Sequence, residues 1–73
     1  MKRYIKVKYI NATPMKAGDY IARYGLEIPE ECTEADDGYL VEFLDGRSSN
    51  HPDFQNYIVW MPKGFFDFNY EEV

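Results

Sequence analysis

Two short apolar runs on either side of a long polar segment place the strongest constraint on how this chain can fold. Residues 39–44, YLVEFL, follow Gly38, and residues 57–61, YIVWM, end at Pro62. Runs this short and rich in β-branched and aromatic residues predict strands, and Pro62 marks a limit because proline cannot donate to a ladder. About a dozen residues separate the runs, too many for a tight hairpin, so we expect an antiparallel pair joined by a long loop.

The run 39–44 predicts a central strand. Its residues alternate between the two faces of a strand, and Glu42 is the only one that is not apolar. We therefore expect this strand to be central in the sheet and covered on much of both faces.

A third strand is predicted over residues 2–10. Ile5 and Val7 alternate with Lys6 and Lys8, which indicates a half-buried strand with a solvated basic face. The lysines also discourage pairing with other molecules at a sheet edge.

A helix is predicted over residues 14–24. Thr13 is a preferred N-cap residue, Pro14 suits the first helical position, and Gly25 suits the left-handed position after the last turn. Ala17, Ile21 and Tyr24 have the spacing of a stripe that faces the core.

Gly18 lies in the middle of that helix and weakens it by about 1 kcal/mol relative to alanine. We expect it to permit the close approach of a strand or a ligand.

The C-terminal residues predict a short helix or an extended arm. Pro62 suits a first helical position, and Phe66 with Tyr70 forms an i, i+4 pair, whereas Gly64 weakens the helix. The fold class expected is therefore α+β, a single domain over residues 1–73 with strands 2–10, 39–44 and 57–61 packed against helix 14–24.

Size and cysteine content restrict how this fold is stabilised. A domain of 73 residues has a marginal core, and the lone Cys32 cannot form an intramolecular disulfide. The thirteen aromatic residues favour both core packing and interfaces, so we expect a homo-oligomer. One cysteine fits a reducing cytoplasm, and the apolar runs are too short for a membrane span or a secretion signal.

Charge is segregated along the chain. Residues 1–23 contain six of the eight basic residues and only Asp19 as an acid, whereas twelve acids follow from Tyr24 onward. The net charge of −5 disfavours binding to duplex nucleic acid. Two partners remain open: a small anion at the basic patch, or a basic protein that meets the acidic surface.

Residues 30–37, EECTEADD, predict a mobile and solvated acidic loop. The segment lacks the ligand spacing of a calcium loop, and one cysteine with one histidine cannot form a zinc site, so we expect no metal and no cofactor. The surrounding carboxylates disfavour a thiolate at Cys32, which argues against a catalytic cysteine.

The polar loop, residues 47–53, is the first candidate for a functional site because long loops in small domains often bind ligands. Its NHPD sequence is explained most simply as a turn, with a ligand contact as the alternative. His51 is the only histidine, and no catalytic triad, phosphate loop or metalloprotease motif accompanies it. We expect no enzyme activity and no catalytic residue.

Three further side chains have two interpretations each. Trp60 at the end of a strand is a core residue or a stacking platform for a base. Arg23 and Arg47 are solvated side chains or bidentate ligands for a phosphate.

The blocks GYLVEFLDG and NHPDFQNYIVWMPKGFF together resemble a family of small proteins encoded by tailed bacteriophages and prophages, and the resemblance covers nearly the whole chain. Family members typically have GYLVEY-DGG, NHP and GYISWSPK. This sequence differs at Leu26, where many members have Trp, at Arg47, which replaces Gly, and at Met61, which replaces Ser. The resemblance implies a phage origin and a host-cytoplasmic location, and it supplies no activity.

These observations lead us to expect a phage accessory protein that counters a bacterial defence by stoichiometric binding, with a preference for sequestering a small nucleotide signal. The alternatives are an acidic protein–protein inhibitor of the anti-CRISPR type and a minor virion or packaging protein. The residues expected to bind the nucleotide are Tyr20, Arg23, Arg47, Asn50, His51 and Trp60. Replacement of Asn50 and His51 by alanine is expected to abolish binding and leave folding intact.

Overall fold

The computed structural model describes residues 10–70. The elements in chain order are β1 (Ile10–Pro14), α1 (Ala17–Tyr24), β2 (Gly38–Phe43), β3 (Ile58–Pro62) and α2 (Lys63–Asn69). The strands form an antiparallel sheet in the order β1-β2-β3, so the α+β architecture and the central position of β2 are confirmed. No helix within residues 10–70 has the length and apolar character needed to cross a membrane.

The register of the sheet decides which backbone groups of β1 and β3 point away from β2, towards the outer edges of the sheet. Beside β1, the Met15 N–H donates to the Gly38 carbonyl at 2.9 Å, and beside β3, the Phe43 N–H donates to the Tyr57 carbonyl at 3.0 Å. Hydrogen-bonded pairs alternate along an antiparallel ladder. Residues 38, 40 and 42 of β2 therefore bond to β1, and residues 39, 41 and 43 bond to β3.

The start of α1 differs from the prediction. Thr13 and Pro14 lie in β1, opposite Leu40 and Tyr39, and the helix begins at Ala17 after an N-cap residue, Lys16, that makes no side-chain capping bond. The local Thr-Pro signal was overridden by strand pairing. Pro14 is tolerated because its nitrogen faces away from β2 and has no ladder bond to make. Of the predicted strand 2–10, only Ile10 lies within the described residues.

Backbone carbonyls of the acidic loop take the place of the missing cap. The Ala17 N–H donates to the Asp36 carbonyl at 3.1 Å, and the Gly18 N–H donates to the Glu34 carbonyl at 2.9 Å. A β-carbon at Gly18 would lie 3.1 Å from that Glu34 oxygen, so the glycine permits the close approach of this loop. At the other end, Gly25 has φ +66°, which confirms its left-handed position.

One face of the sheet carries the main core. Leu40, Ile58 and Trp60 pack there against Ala17 and Tyr20 of α1. The predicted stripe is partly wrong, because Tyr20 rather than Ile21 is buried beside Ala17.

The opposite face is covered in part by α2. Phe66 stacks on Tyr39 with ring centroids 4.2 Å apart, and Tyr70 stacks on Phe66 at 5.1 Å. The short C-terminal helix and its i, i+4 pair are therefore confirmed. The helix begins at Lys63, one residue after Pro62, which ends β3.

Candidate functional site

The acidic loop, residues 30–37, is fixed to the rest of the molecule by its backbone. Besides the two bonds to α1, the Cys32 N–H donates to the Pro29 carbonyl at 3.0 Å and the Asp36 N–H donates to the Thr33 carbonyl at 3.1 Å. The Asp36 carboxylate accepts the Thr33 N–H at 2.9 Å. The sequence predicts a mobile loop here, whereas the structure shows a segment whose backbone is hydrogen-bonded to α1 and within itself.

These bonds also remove one place where an anion could bind. The first N–H groups of a helix attract anions because they are unpaired and lie at the positive end of the helix dipole. In α1, the N–H groups of Ala17 and Gly18 already donate to loop carbonyls. A phosphate at this helix end would have to displace the acidic loop.

The cationic side chains are largely neutralised by neighbours. Lys16 contacts the Asp37 carboxylate at 3.2 Å, Arg47 contacts the Asp45 carboxylate at 3.0 Å, and Lys63 pairs with Asp67 one turn along α2. The hydrogen bond from Lys63 to Asp67 raises the pKa of the lysine, with smaller contributions from nearby Asp67, Tyr39 and Asp37 charges.

The acidic loop contributes carboxylates that lack such neighbours. Within residues 10–70, Glu30, Glu31 and Glu34 are exposed and have no ion pair. The described part of the chain also contains no group of three or more metal-ligating side chains. Among residues 10–70, the loop therefore presents carboxylates that no described basic side chain neutralises.

Cys32 lies half-buried within this loop. Partial burial raises the pKa of its thiol, and the carboxylates of Asp36 and Glu31 raise it further. Its environment therefore favours the thiol over the thiolate, in the direction that the sequence predicts.

Asn50 is placed by the polar loop against the outer edge of β3. Its side-chain oxygen accepts the Ile58 N–H at 2.8 Å, and its side-chain nitrogen donates to the Ile58 carbonyl at 2.9 Å. The amide thus satisfies both outward groups of one strand residue, as a neighbouring strand would. Asn50 therefore supports the fold at this strand edge. This geometry argues against the expectation that replacing Asn50 leaves folding intact.

His51 is also engaged inside the molecule. Its Nδ1 accepts the Asp53 N–H at 3.1 Å, and its ring packs edge-on against Tyr24 and Phe54 at 5.1 and 6.1 Å between centroids. The Asp53 carboxylate is 3.9 Å from Nδ1. These contacts fit the predicted turn, and they leave Nδ1 already hydrogen-bonded.

The two aromatic residues expected to contact a base lie in the core. Tyr20 is 2% exposed, and Trp60 is 4% exposed with its Nε1 donating to the Met15 carbonyl at 2.8 Å. Neither ring face is open to a ligand in this arrangement.

The two arginines lie on separate elements. Arg23 is exposed in the last turn of α1, and Arg47 lies over the Phe43 ring, 4.3 Å from its centroid, while it pairs with Asp45. The six residues predicted to bind the nucleotide therefore do not form one open site.

Two features of the surface were missed by the sequence analysis. The first is an open depression of about 450 Å³ where the end of β1, the start of β2 and the start of α2 meet. It is lined by Pro14, Met15, Lys16, Asp19, Asp37, Gly38, Tyr39 and Lys63. These residues are distant in sequence and come together only through the pairing of the strands, so no local motif signals the site.

The second missed feature is a pair of exposed phenylalanines on α2. Phe65 is 55% exposed and Phe68 is 89% exposed, whereas Phe66 packs on the sheet. The spacing of the aromatic residues could have indicated this. If Phe66 and Tyr70 occupy the inner face of a helix, residues 65 and 68 lie on the outer face.

No family model, no curated protein and no solved structure matches the chain.

Proposed function

We propose that this chain is a non-enzymatic bacteriophage accessory protein that acts in the host cytoplasm by binding a basic surface of a defence protein. The observation that supports this most is the acidic loop, whose Glu30, Glu31 and Glu34 have no ion pair within residues 10–70 and whose backbone is hydrogen-bonded. A bonded loop backbone loses less entropy on binding than a free one, and its negative charges steer a partner of opposite sign. The viral origin and the cytoplasmic location rest on the resemblance of the GYLVEFLDG and NHP blocks and on the lone cysteine.

Exposed apolar groups close to the acidic loop favour a protein as the partner. The Asp37 carbonyl at the end of the loop accepts the Lys63 N–H at 3.0 Å, so α2 begins where the loop ends. That helix carries Phe65 and Phe68 on its outer face. Buried aromatic anchors supply much of the affinity at protein interfaces, and surrounding charges add specificity.

The residues considered for catalysis have geometry that supports binding rather than chemistry. His51 uses Nδ1 to accept a backbone N–H, and the environment of Cys32 disfavours its thiolate. A general base needs a free acceptor, and a cysteine nucleophile needs a thiolate.

The acidic loop can be tested with two variants of equal charge. Glu30→Gln with Glu34→Gln removes two negative charges from the loop, and Glu71→Gln with Glu72→Gln removes two near the C-terminus. Each purified protein is immobilised and exposed to lysate of a phage-sensitive bacterium at low and at high salt. We expect wild type and the C-terminal variant to retain a basic protein at low salt, and the loop variant to lose it.

The captured protein is then purified and titrated by calorimetry to give its stoichiometry and affinity. Equal retention by the loop variant would contradict the proposed site. Equal loss from both variants would attribute binding to net charge alone and would also contradict it.

Capture of a small nucleotide signal is the second candidate, and the depression beside Lys16 and Lys63 is the observation that favours it. Both ammonium groups already pair with carboxylates, so a ligand phosphate must displace Asp37 from Lys16. Calorimetric titration with cyclic nucleotides and ADP-ribose derivatives tests this. Binding that disappears in Lys16→Gln would support it, and the absence of heat with every ligand would reject it.

A further inference from the structure

Strand β1 forms an open edge of the sheet. Residues 11–14 are exposed, and within the described sheet β1 pairs only with β2. The ladder to β2 uses the backbone of Asn11 and Thr13, so the N–H and C=O groups of Ile10 and Ala12 face outward. No backbone hydrogen bond among residues 10–70 satisfies these outward groups.

The opposite edge, at β3, does not offer a comparable series. Asn50 occupies both outward groups of Ile58, and Pro62 has no N–H to offer. Trp60 lies between them with its side chain in the core. A ladder needs donors and acceptors on successive outward residues, and of the two edges of the described sheet β1 provides them on Ile10 and Ala12.

We propose that two copies of this chain pair antiparallel through β1, with Ala12 on the two-fold axis, to form one continuous six-stranded sheet. In this register Ala12 faces Ala12 of the second copy, and the two exchange both N–H···O bonds. Ile10 faces Pro14 of the second copy, where the Ile10 N–H donates to the Pro14 carbonyl. The ladder ends at Pro14, because proline has no N–H to donate to the Ile10 carbonyl of the second copy.

The composition of β1 favours a second copy as its partner. The strand INATP carries no charge, so self-pairing over residues 10–14 brings no like charges together. Cross-strand partners in the proposed register have matching polarity: Ile10 meets Pro14 on one face, and Asn11 meets Thr13 on the other. Ile10, Ala12 and Pro14 also lie on the face of the sheet that carries buried Val41, so pairing extends that apolar face across both copies.

The pairing can be tested by removing one donor. Ala12→Pro deletes the outward N–H and leaves the ladder to β2 unaffected, because that N–H points away from β2. Ala12→Val keeps the donor and suits a strand, and it serves as the matched control. We expect light scattering to give twice the chain mass of 8.6 kDa for wild type and Ala12→Val, and the chain mass for Ala12→Pro.

Circular dichroism and the emission of Trp60 establish that Ala12→Pro is folded. A monomeric wild type across the accessible concentration range would overturn the proposal. A dimeric and folded Ala12→Pro would overturn it as well.

The register is tested by cross-linking in a Cys32→Ser background. Residues that exchange both backbone bonds have Cα atoms about 5.5 Å apart, within the range that a disulfide spans. We therefore expect Ala12→Cys to form a disulfide-linked dimer under mild oxidation, and Thr13→Cys to remain largely uncross-linked. Faster cross-linking at position 13 than at position 12 would overturn the register.

Discussion

Asn50 connects the polar loop to β3 through both of its amide atoms. The Ile58 N–H and carbonyl each lie within 2.9 Å of the asparagine side chain, and neither has a strand partner on that side. Leaving a part-buried backbone donor or acceptor without a partner costs about 1–3 kcal/mol.

We therefore predict that Asn50→Asp and Asn50→Ala both lower the free energy of unfolding. Aspartate can still accept the Ile58 N–H but cannot donate to the carbonyl, so we expect a loss of about 1–2 kcal/mol, and a larger loss for alanine. Urea unfolding followed by Trp60 emission measures both. Ser48→Ala, at an exposed position in the same loop, is the control and should leave the midpoint unchanged. A midpoint for Asn50→Ala equal to that of the control would contradict this role.

In the polar loop, the turn could be predicted from the sequence but the long-range partner of Asn50 could not. The NHPD sequence correctly indicates a turn, because asparagine, proline and aspartate bond or fix the local backbone. The acceptor of the Asn50 side chain is a strand residue eight positions away, and no local pattern identifies it. For the same reason, Trp60 can be assigned to the core or to a ligand only when its partner, the Met15 carbonyl, is known.

At the scale of elements, the junction of β1 and α1 shows a local helix signal overridden by pairing with a distant strand. Thr13 and Pro14 have the composition of a helix start, yet they pair with Leu40 and Tyr39 in the sheet. Strand pairing is preferred because it gives hydrogen-bond partners to backbone N–H and C=O groups that would lack them at the start of a helix. The acidic loop, distant in sequence, then caps the shortened helix.

This assignment predicts that Thr13→Ala has little effect. An N-cap threonine contributes about 1 kcal/mol, whereas an exposed threonine in an edge strand contributes only a few tenths. We expect a loss below about 0.5 kcal/mol by thermal unfolding, with unchanged ellipticity at the helical minimum. A loss of more than about 1 kcal/mol together with reduced helicity would restore Thr13 as the cap.

Two glycines provide a matched pair of predictions for β2 and α2. A β-carbon at Gly38 would lie 2.2 Å from the Met61 carbonyl oxygen and 2.4 Å from the Trp60 ring, whereas one at Gly64 would meet nothing within 4 Å. We expect Gly38→Ala to cost about 3 kcal/mol or to prevent folding, because a backbone oxygen cannot move aside easily. Gly64→Ala should add about 0.5–1 kcal/mol, as in other helices. Equal unfolding midpoints for the two variants would contradict the packing at Gly38.

At the scale of the whole molecule, burial of Tyr20 links stability to pH. Burial raises the pKa of Tyr20 from 10.0 to about 12, with smaller contributions from Tyr57 and Tyr24. Between these pH values the unfolded chain has lost a proton that the folded chain retains, so stability falls as pH rises. Below pH 10 this contribution is fully present.

We predict that the free energy of unfolding falls by about 2 kcal/mol between pH 10 and 12 because of Tyr20. Denaturant titrations at several pH values measure the decline. Tyr20→Phe keeps the packed ring and removes the ionising group, so its decline should be smaller by that amount. An identical decline in both proteins would assign the effect to other groups.

The overall architecture was predictable because each strand of the β2–β3 pair carries its own signal. Predicted strands 39–44 and 57–61 differ from Gly38–Phe43 and Ile58–Pro62 by one residue at each end. The candidate site was less predictable, because its geometry depends on contacts between segments that lie far apart in sequence. The bonds from the acidic loop to α1 and the depression between β1 and α2 are both of this kind.

The contact between Asn50 and β3 has a consequence for growth of the sheet. A sheet protein with two open edges can add copies at both ends and extend into a filament. A protein with one open edge forms only a pair. Both copies use their open edges in the contact, and the edges that remain at the two ends are the blocked ones. With Ile58 shielded by Asn50 and Pro62 lacking a donor, the described β3 edge leaves only the outward groups of Trp60, so a pair joined through β1 offers no continuous ladder for further copies at that edge.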